Sequence, residues 1–175
     1  FFAESQLKIY DYNRIVKDLN GITVSDLLER LKLKFKVEEK GETVFKPTRK
    51  HEISMYVEGK WYNLISKEGT YNSSDPVGSL DASILTGHIL SPILDIHDLK
   101  TDKRIAFVPG IKGAGALKQA VDDGKAAVAF GLYPVTMEHL KWIADTNNIM
   151  PPKSTWVEPK MRSGLVIYSF EEDNQ

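Results

Sequence analysis

Cysteine is absent from this chain of 175 residues, which excludes disulfides, thiol catalysis and Cys-ligated zinc within it. The absence agrees with a reducing compartment, and a cytoplasmic location is the expectation. Neither charge dominates: 23 basic residues stand against 24 acidic ones, a formal net charge of −1. Whole-chain charge therefore carries no nucleic-acid footprint, and nucleic acid is not an expected partner. No apolar run approaches the ~20 residues needed to span a bilayer, so no membrane partner is expected. No basic leader followed by an apolar run marks a signal peptide. His51, His88, His97 and His139 are scattered without HxxxH or HExxH spacing, and no metal site is expected. Ser–His–Asp spacing, a defensible acid pair, a nucleophile elbow and internal repeats are missing as well.

What is present is enough for a core. Apolar residues make up 42% of the chain, and 175 residues fit one domain. The chain opens on Phe1-Phe2 rather than Met. We therefore read residues 1–175 as a single globular domain, a fragment cut from a longer protein.

The pattern is α+β: an N-terminal strand–helix and β-hairpin part, then a βαβαβ part, with helices packed on mixed sheets. Gln6 to Tyr10 reads as a strand. Asp11 to Gly21 reads as a short helical turn on Ile15, Val16 and Leu19, closed by Asn20-Gly21. Within it Arg14 is expected to stack beside Tyr12 or pair with a carboxylate such as Asp18. Thr23 caps a helix to about Lys34, with Asp26 as capping-box partner and Leu27, Leu28 and Leu31 on the apolar stripe. Phe35 to Glu38 is a short strand. Ile53 to Val57 and Lys60 to Ser66 form a hairpin around Glu58-Gly59, with aromatics paired across it. Ser79 or Asp81 caps a helix from Leu80 to about Leu90 that Ser91-Pro92 ends. Strand Arg104 to Val108, helix Ala116 to Asp123, the nearly all-apolar strand Ala126 to Leu132 and a helix capped by Thr136 follow. A strand from Leu165 to Phe170 closes the order.

Two stretches invite a functional reading. Gly110 to Gly115, GIKGAG, lies between a strand and a helix, where backbone N–H groups bind phosphate. Its spacing is neither GxGxxG nor GxxxxGK[ST], and a plain tight turn is the preferred reading. The second is Met150 to Gly164, MPPKSTWVEPKMRSG. Its prolines push it toward extended backbone. It carries Lys153, Lys160 and Arg162 against the single carboxylate Glu158, with hydroxyls Ser154, Thr155 and Ser163. Such a set suits anion recognition; the bland reading is a solvated connector.

The run from Met150 to Ile167 resembles the C-terminal signature of the bacterial family known as domain of unknown function 1015. Tyr12 to Gly21, Leu80 to Ile96, Thr101 to Gly110 and Ala126 to Pro134 resemble it too, in order. Members of that family are similar to ParB-type partition proteins through a Gly-His-His-Arg-type motif in their N-terminal half, and no His-His pair occurs in this chain. The wider superfamily includes nucleotide switches, sulfiredoxin and a free-serine kinase, and family members tend to be encoded near serine-biosynthesis genes. The resemblance implies binding of a nucleotide or phosphorylated small molecule, with phosphotransfer completed by the missing N-terminal half. The expected anion site is Lys153, Ser154, Thr155, Lys160, Arg162 and Ser163, with Asn13 and Arg14 completing the pocket. No catalytic residue is implied. The rival expectation is a non-catalytic module that dimerises or docks a partner through the basic loop.

Overall fold

The computed structural model describes residues 6–160. Two antiparallel sheets form. Six strands make the larger: β2 Tyr12–Val16, β3 Phe35–Gly41, β4 Glu52–Val57, β5 Lys60–Ser66, β6 Ile105–Pro109 and β7 Val128–Leu132, in the order β3-β5-β4-β7-β2-β6. A two-stranded ribbon pairs β1 Lys8–Tyr10 with β8 Trp156–Glu158. The helices are α1 Val24–Lys32, α2 Asp81–Leu85, α3 Gly113–Asp122 and α4 Met137–Asp145. Among the described residues no helix is long and apolar enough to cross a membrane.

The sheet is covered on both sides. On one face Val16, Ile53, Met55, Val57, Leu64, Val128 and Phe130 join Leu27 and Leu31 of α1 and Ile84 and Leu85 of α2. On the other, Tyr56, Trp61 and Ala129 pack beneath Ala114 and Leu117 of α3. This double cover explains the apolar run of β7, which lies between β4 and β2 and is buried at every position. β6 and β7 each pair antiparallel with β2, so they run parallel to one another with β2 between and α3 as the crossover. The closing strand expected at Leu165 to Phe170 lies outside the described residues.

The hairpin takes its expected register, with Tyr56 opposite Trp61 and ring centroids 4.9 Å apart. Glu58 and Gly59 both adopt positive φ, 46° and 79°. Thr23 and Asp26 form the capping box of α1. Thr136 caps α4 by accepting the His139 N–H, and Asn147 turns left-handed beyond it.

Three local expectations are corrected. Residues 12–16 form the strand β2, not a helical turn. Tyr12, Ile15 and Val16 suit a pleated surface, and partners on both edges satisfy the backbone of a segment too short to hold a helix alone. Arg14 does not pair with Asp18, which instead approaches Arg104 at 3.7 Å. The helix from Leu80 is α2 followed by a π-helical turn, Thr86–Leu90, and neither Ser79 nor Asp81 caps it. The Asp81 carboxylate is drawn away to accept the His51 N–H at 2.8 Å.

Candidate functional site

The glycine stretch after β6 is a turn that runs straight into a helix. Gly110–Lys112 form a 3-10 turn, and α3 starts at Gly113, whose φ of 73° suits glycine. No side chain caps the start of α3. That end of the helix opens on a cavity of about 420 Å³. Its floor is the sheet face formed by Asn13, Ser54 and Gly131. Its rim carries Lys8 and Asp11 on one side and Lys46 on another, and Ile9, Ile111, Pro47 and Leu117 make it largely apolar.

Each floor residue has a reason. The Asn13 Oδ1 accepts the Leu132 N–H at 2.9 Å, which fixes the amide and turns its NH2 end away from that strand. The Ser54 hydroxyl donates to the Gly131 carbonyl at 3.3 Å. A side chain at Gly131 would drive into the Ser54 hydroxyl and crowd Leu117. One at Gly110 would meet the Asp11 carboxylate. Two glycines thus let backbone and small polar groups form the walls. Behind the cavity α3 is clamped to β4: the Tyr56 hydroxyl donates to Asp122 at 2.7 Å and accepts from Lys118 at 2.8 Å. Burial pushes the Tyr56 hydroxyl above its ordinary pKa.

The residues singled out from the sequence do not converge on one point. Asn13 lines the cavity. Arg14, its neighbour on β2, projects from the opposite face and is fully buried. Its Nη1 donates to the Tyr12 carbonyl, its guanidinium lies 5.3 Å from the Phe107 ring, and Nε and Nη2 have no partner. Desolvation lowers its pKa to about 10. Lys153 lies over the Tyr12 ring at 5.4 Å, and Lys160 over Trp156 at 3.3 Å. The Ser154 hydroxyl donates to the Pro151 carbonyl at 2.7 Å; Thr155 is half-buried beside it. Arg162 and Ser163 lie outside the described residues. The described part of the loop does not line the cavity; β8 pairs with β1, and it is residues 8–11 that form a wall.

Lys8, Asp11, Lys46, Ser54 and Gly131 were not singled out from the sequence. Gly131 carried a usable signal, because a glycine inside an apolar strand marks close approach. Also unforeseen is a row in which Ser91 Oγ donates to His97 Nδ1 at 2.7 Å and His97 Nε2–H donates to Asp95 at 2.8 Å. His97 and Asp95 side chains are exposed, and the Ser91 N–H is spent on the Thr86 carbonyl, so the row braces a turn that Arg104 pins through the Leu94 and Asp95 carbonyls.

The comparisons with known proteins bear on this geometry. Residues 1–83 match the family described as "Protein of unknown function (DUF1015)". That match supports the resemblance drawn from the sequence, over the part of the chain that holds β1 to β5 and the start of α2. No curated protein matches the chain. Among solved structures, a free serine kinase in complex with AMP is similar with a TM-score of 0.52 at 16% identity, over 88% of this chain and 55% of that one. A variant of such a kinase, also with AMP, matches with a TM-score of 0.52 at 17% identity over the same shares. The chain thus spans about half the length of these neighbours, and at this identity the likeness is one of fold.

Proposed function

We infer that this chain binds a phosphate-bearing small molecule, a nucleotide foremost, in the cavity at the start of α3. The observation that carries this reading is an uncapped helix N-terminus opening on a cavity of about 420 Å³ with two lysines at its rim. Free N–H groups and the helix dipole favour an anion there. Lys8 and Lys46 would neutralise phosphate, Asn13 and Ser54 would hydrogen-bond the ligand, and Ile9, Ile111 and Pro47 offer apolar surface for a base. The free serine kinases that share the fold hold AMP, which supports the nucleotide version. The basic loop belongs to the proposal as neighbour of β1. An ammonium resting on a ring keeps outward N–H donors for an anion, so Lys153 and Lys160 stay in the proposal as anion contacts outside the cavity lining.

In the longer cytosolic protein this binding would serve phosphotransfer to a small metabolite, with the catalytic base supplied by the other part. Calorimetry with AMP, ADP and inorganic phosphate tests the binding step. The Lys8→Ala, Lys46→Ala double variant should bind at least about tenfold more weakly, given what charge-assisted hydrogen bonds contribute, with its melting temperature unchanged. Parental affinity in that variant would overturn the assignment.

A further inference from the structure

The cavity at the start of α3 contains one charge that a phosphate does not answer. Lys8, Lys46, the NH2 end of Asn13 and the uncapped start of α3 offer donors. Ser54 and Tyr10 add hydroxyl-bearing side chains to the lining. Asp11 is the only carboxylate in that lining. It is half-buried, and among the described residues its oxygens take part in no hydrogen bond or ion pair. A carboxylate withdrawn from water calls for donors.

Backbone fixes where those donors must be. The Gly110 N–H donates to the Asp11 carbonyl at 2.8 Å. With no Cβ at Gly110, the Asp11 carboxylate lies against the backbone there. Gly110 opens the 3-10 turn, and Gly113 is the first residue of α3. Three residues of 3-10 turn, at about 2 Å each, put the carboxylate roughly 6 Å from the place where α3 would meet a phosphate. A second anion beside Asp11 would be repelled. A cation there would be opposed by Lys8, three residues away on the same wall. Neutral donors answer the carboxylate without either penalty. Two adjacent hydroxyls suit its two oxygens, and an acidic side chain receives a ribose hydroxyl in dinucleotide sites. The amine of a base stands on the far side of the sugar, too remote to serve.

We propose that the ligand of this cavity carries a vicinal diol about one sugar ring from its phosphate, and that the Asp11 carboxylate receives both hydroxyls. This rests on the reading of the cavity as a phosphate site, and it makes Asp11 the residue that selects ribo- over deoxyribo-ligands.

Calorimetry on the intact chain, in EDTA, compares AMP, 2′-deoxy-AMP and ribose 5-phosphate. AMP should bind about tenfold or more tightly than 2′-deoxy-AMP, as expected where a group placed to hydrogen-bond a hydroxyl meets a ligand that lacks it. In Asp11→Ala, AMP should weaken to the level of 2′-deoxy-AMP, which itself should lose nothing. The melting temperature should hold, because the carboxylate makes no contact that the fold would miss. Gly110→Ala reaches the same point from the other side: its Cβ displaces the carboxylate and should cut the preference for AMP with Asp11 still present. Ribose 5-phosphate bound as tightly as AMP, with the same dependence on Asp11, would support the diol and make it that of a sugar phosphate. Much weaker ribose 5-phosphate beside a clear preference for AMP would support it as a nucleotide's. Equal affinity for AMP and 2′-deoxy-AMP in the parent, or a preference that survives Asp11→Ala, would overturn the diol and leave the phosphate reading intact. Binding of none of the three would overturn both.

Discussion

Arg14 is fully buried and, among the described residues, pairs with no carboxylate. Its pKa falls well below the ordinary guanidinium value, to about 10, because burial disfavours the charged form. A fall of that size corresponds to roughly 3 kcal/mol of instability at neutral pH. The sign follows from proton binding. Above about pH 10, until the unfolded chain also gives up this proton, the unfolded chain holds it more tightly than the folded one, so stability rises with pH there. Below that window both states are charged and the penalty is complete. Arg14→Met should therefore raise stability at pH 7 by about 1–3 kcal/mol in urea titrations, as apolar replacements of buried charges do. A loss of stability instead would mean that an anion neutralises the guanidinium. A second residue-scale prediction concerns the floor of the large cavity. Gly131→Ala should cost about 1–3 kcal/mol by overpacking against the Ser54 hydroxyl. Adding Ser54→Ala should return part of that loss, and additive losses would show that Leu117 is the real obstacle.

The elements the sequence made legible are those whose signals are local. The hairpin needed a two-residue turn tolerant of positive φ, and Glu58-Gly59 supplied one. α1 needed a cap, and Thr23 with Asp26 supplied a reciprocal one, with the Asp26 N–H reaching the Thr23 hydroxyl at 3.1 Å. Thr23→Ala should cost about 1 kcal/mol at pH 7, read from urea unfolding. Hydrogen bonds from Thr23 hold the Asp26 carboxyl below its ordinary range. A depressed carboxylate stabilises the fold above its unfolded pKa and loses that contribution as pH falls through the folded one. The gap between parent and Thr23→Ala should therefore narrow on acidification into that range, and a gap independent of pH would remove Asp26 from the box. β2 was misread because its environment is not local. Ile15, Val16 and Leu19 fit a helical spacing, but the partners that decide for a strand arrive from residues 105–109 and 128–130. The same error blurred the site. Neighbours on a helix share a side, whereas neighbours on a strand oppose one another, so Asn13 and Arg14 part to opposite faces.

At the scale of the molecule, order in the chain and order in the sheet diverge. β7 comes late in sequence yet sits between β4 and β2, which come early. Without it those two strands would stand about 10 Å apart, one strand spacing of roughly 4.8 Å on each side, with a backbone edge unpaired on each. The cavity depends on the same insertion, because Gly131 from β7, Asn13 from β2 and Ser54 from β4 meet only when it is made. The lysines and glycines of the site therefore could not be grouped from spacing alone: residues 8, 46, 54, 110 and 131 converge through pairings that no local pattern encodes. The insertion also argues against division of the chain into an early and a late unit. Unfolding in urea should be one cooperative transition, with tryptophan fluorescence, including that of the fully buried Trp61, coincident with far-UV circular dichroism. Residues 1–100 alone should show no cooperative transition and should regain one when residues 101–175 are added. Two separated transitions, or an independently folded 1–100, would mean that β2 and β4 close without β7, and the cavity floor would then have to be assembled some other way.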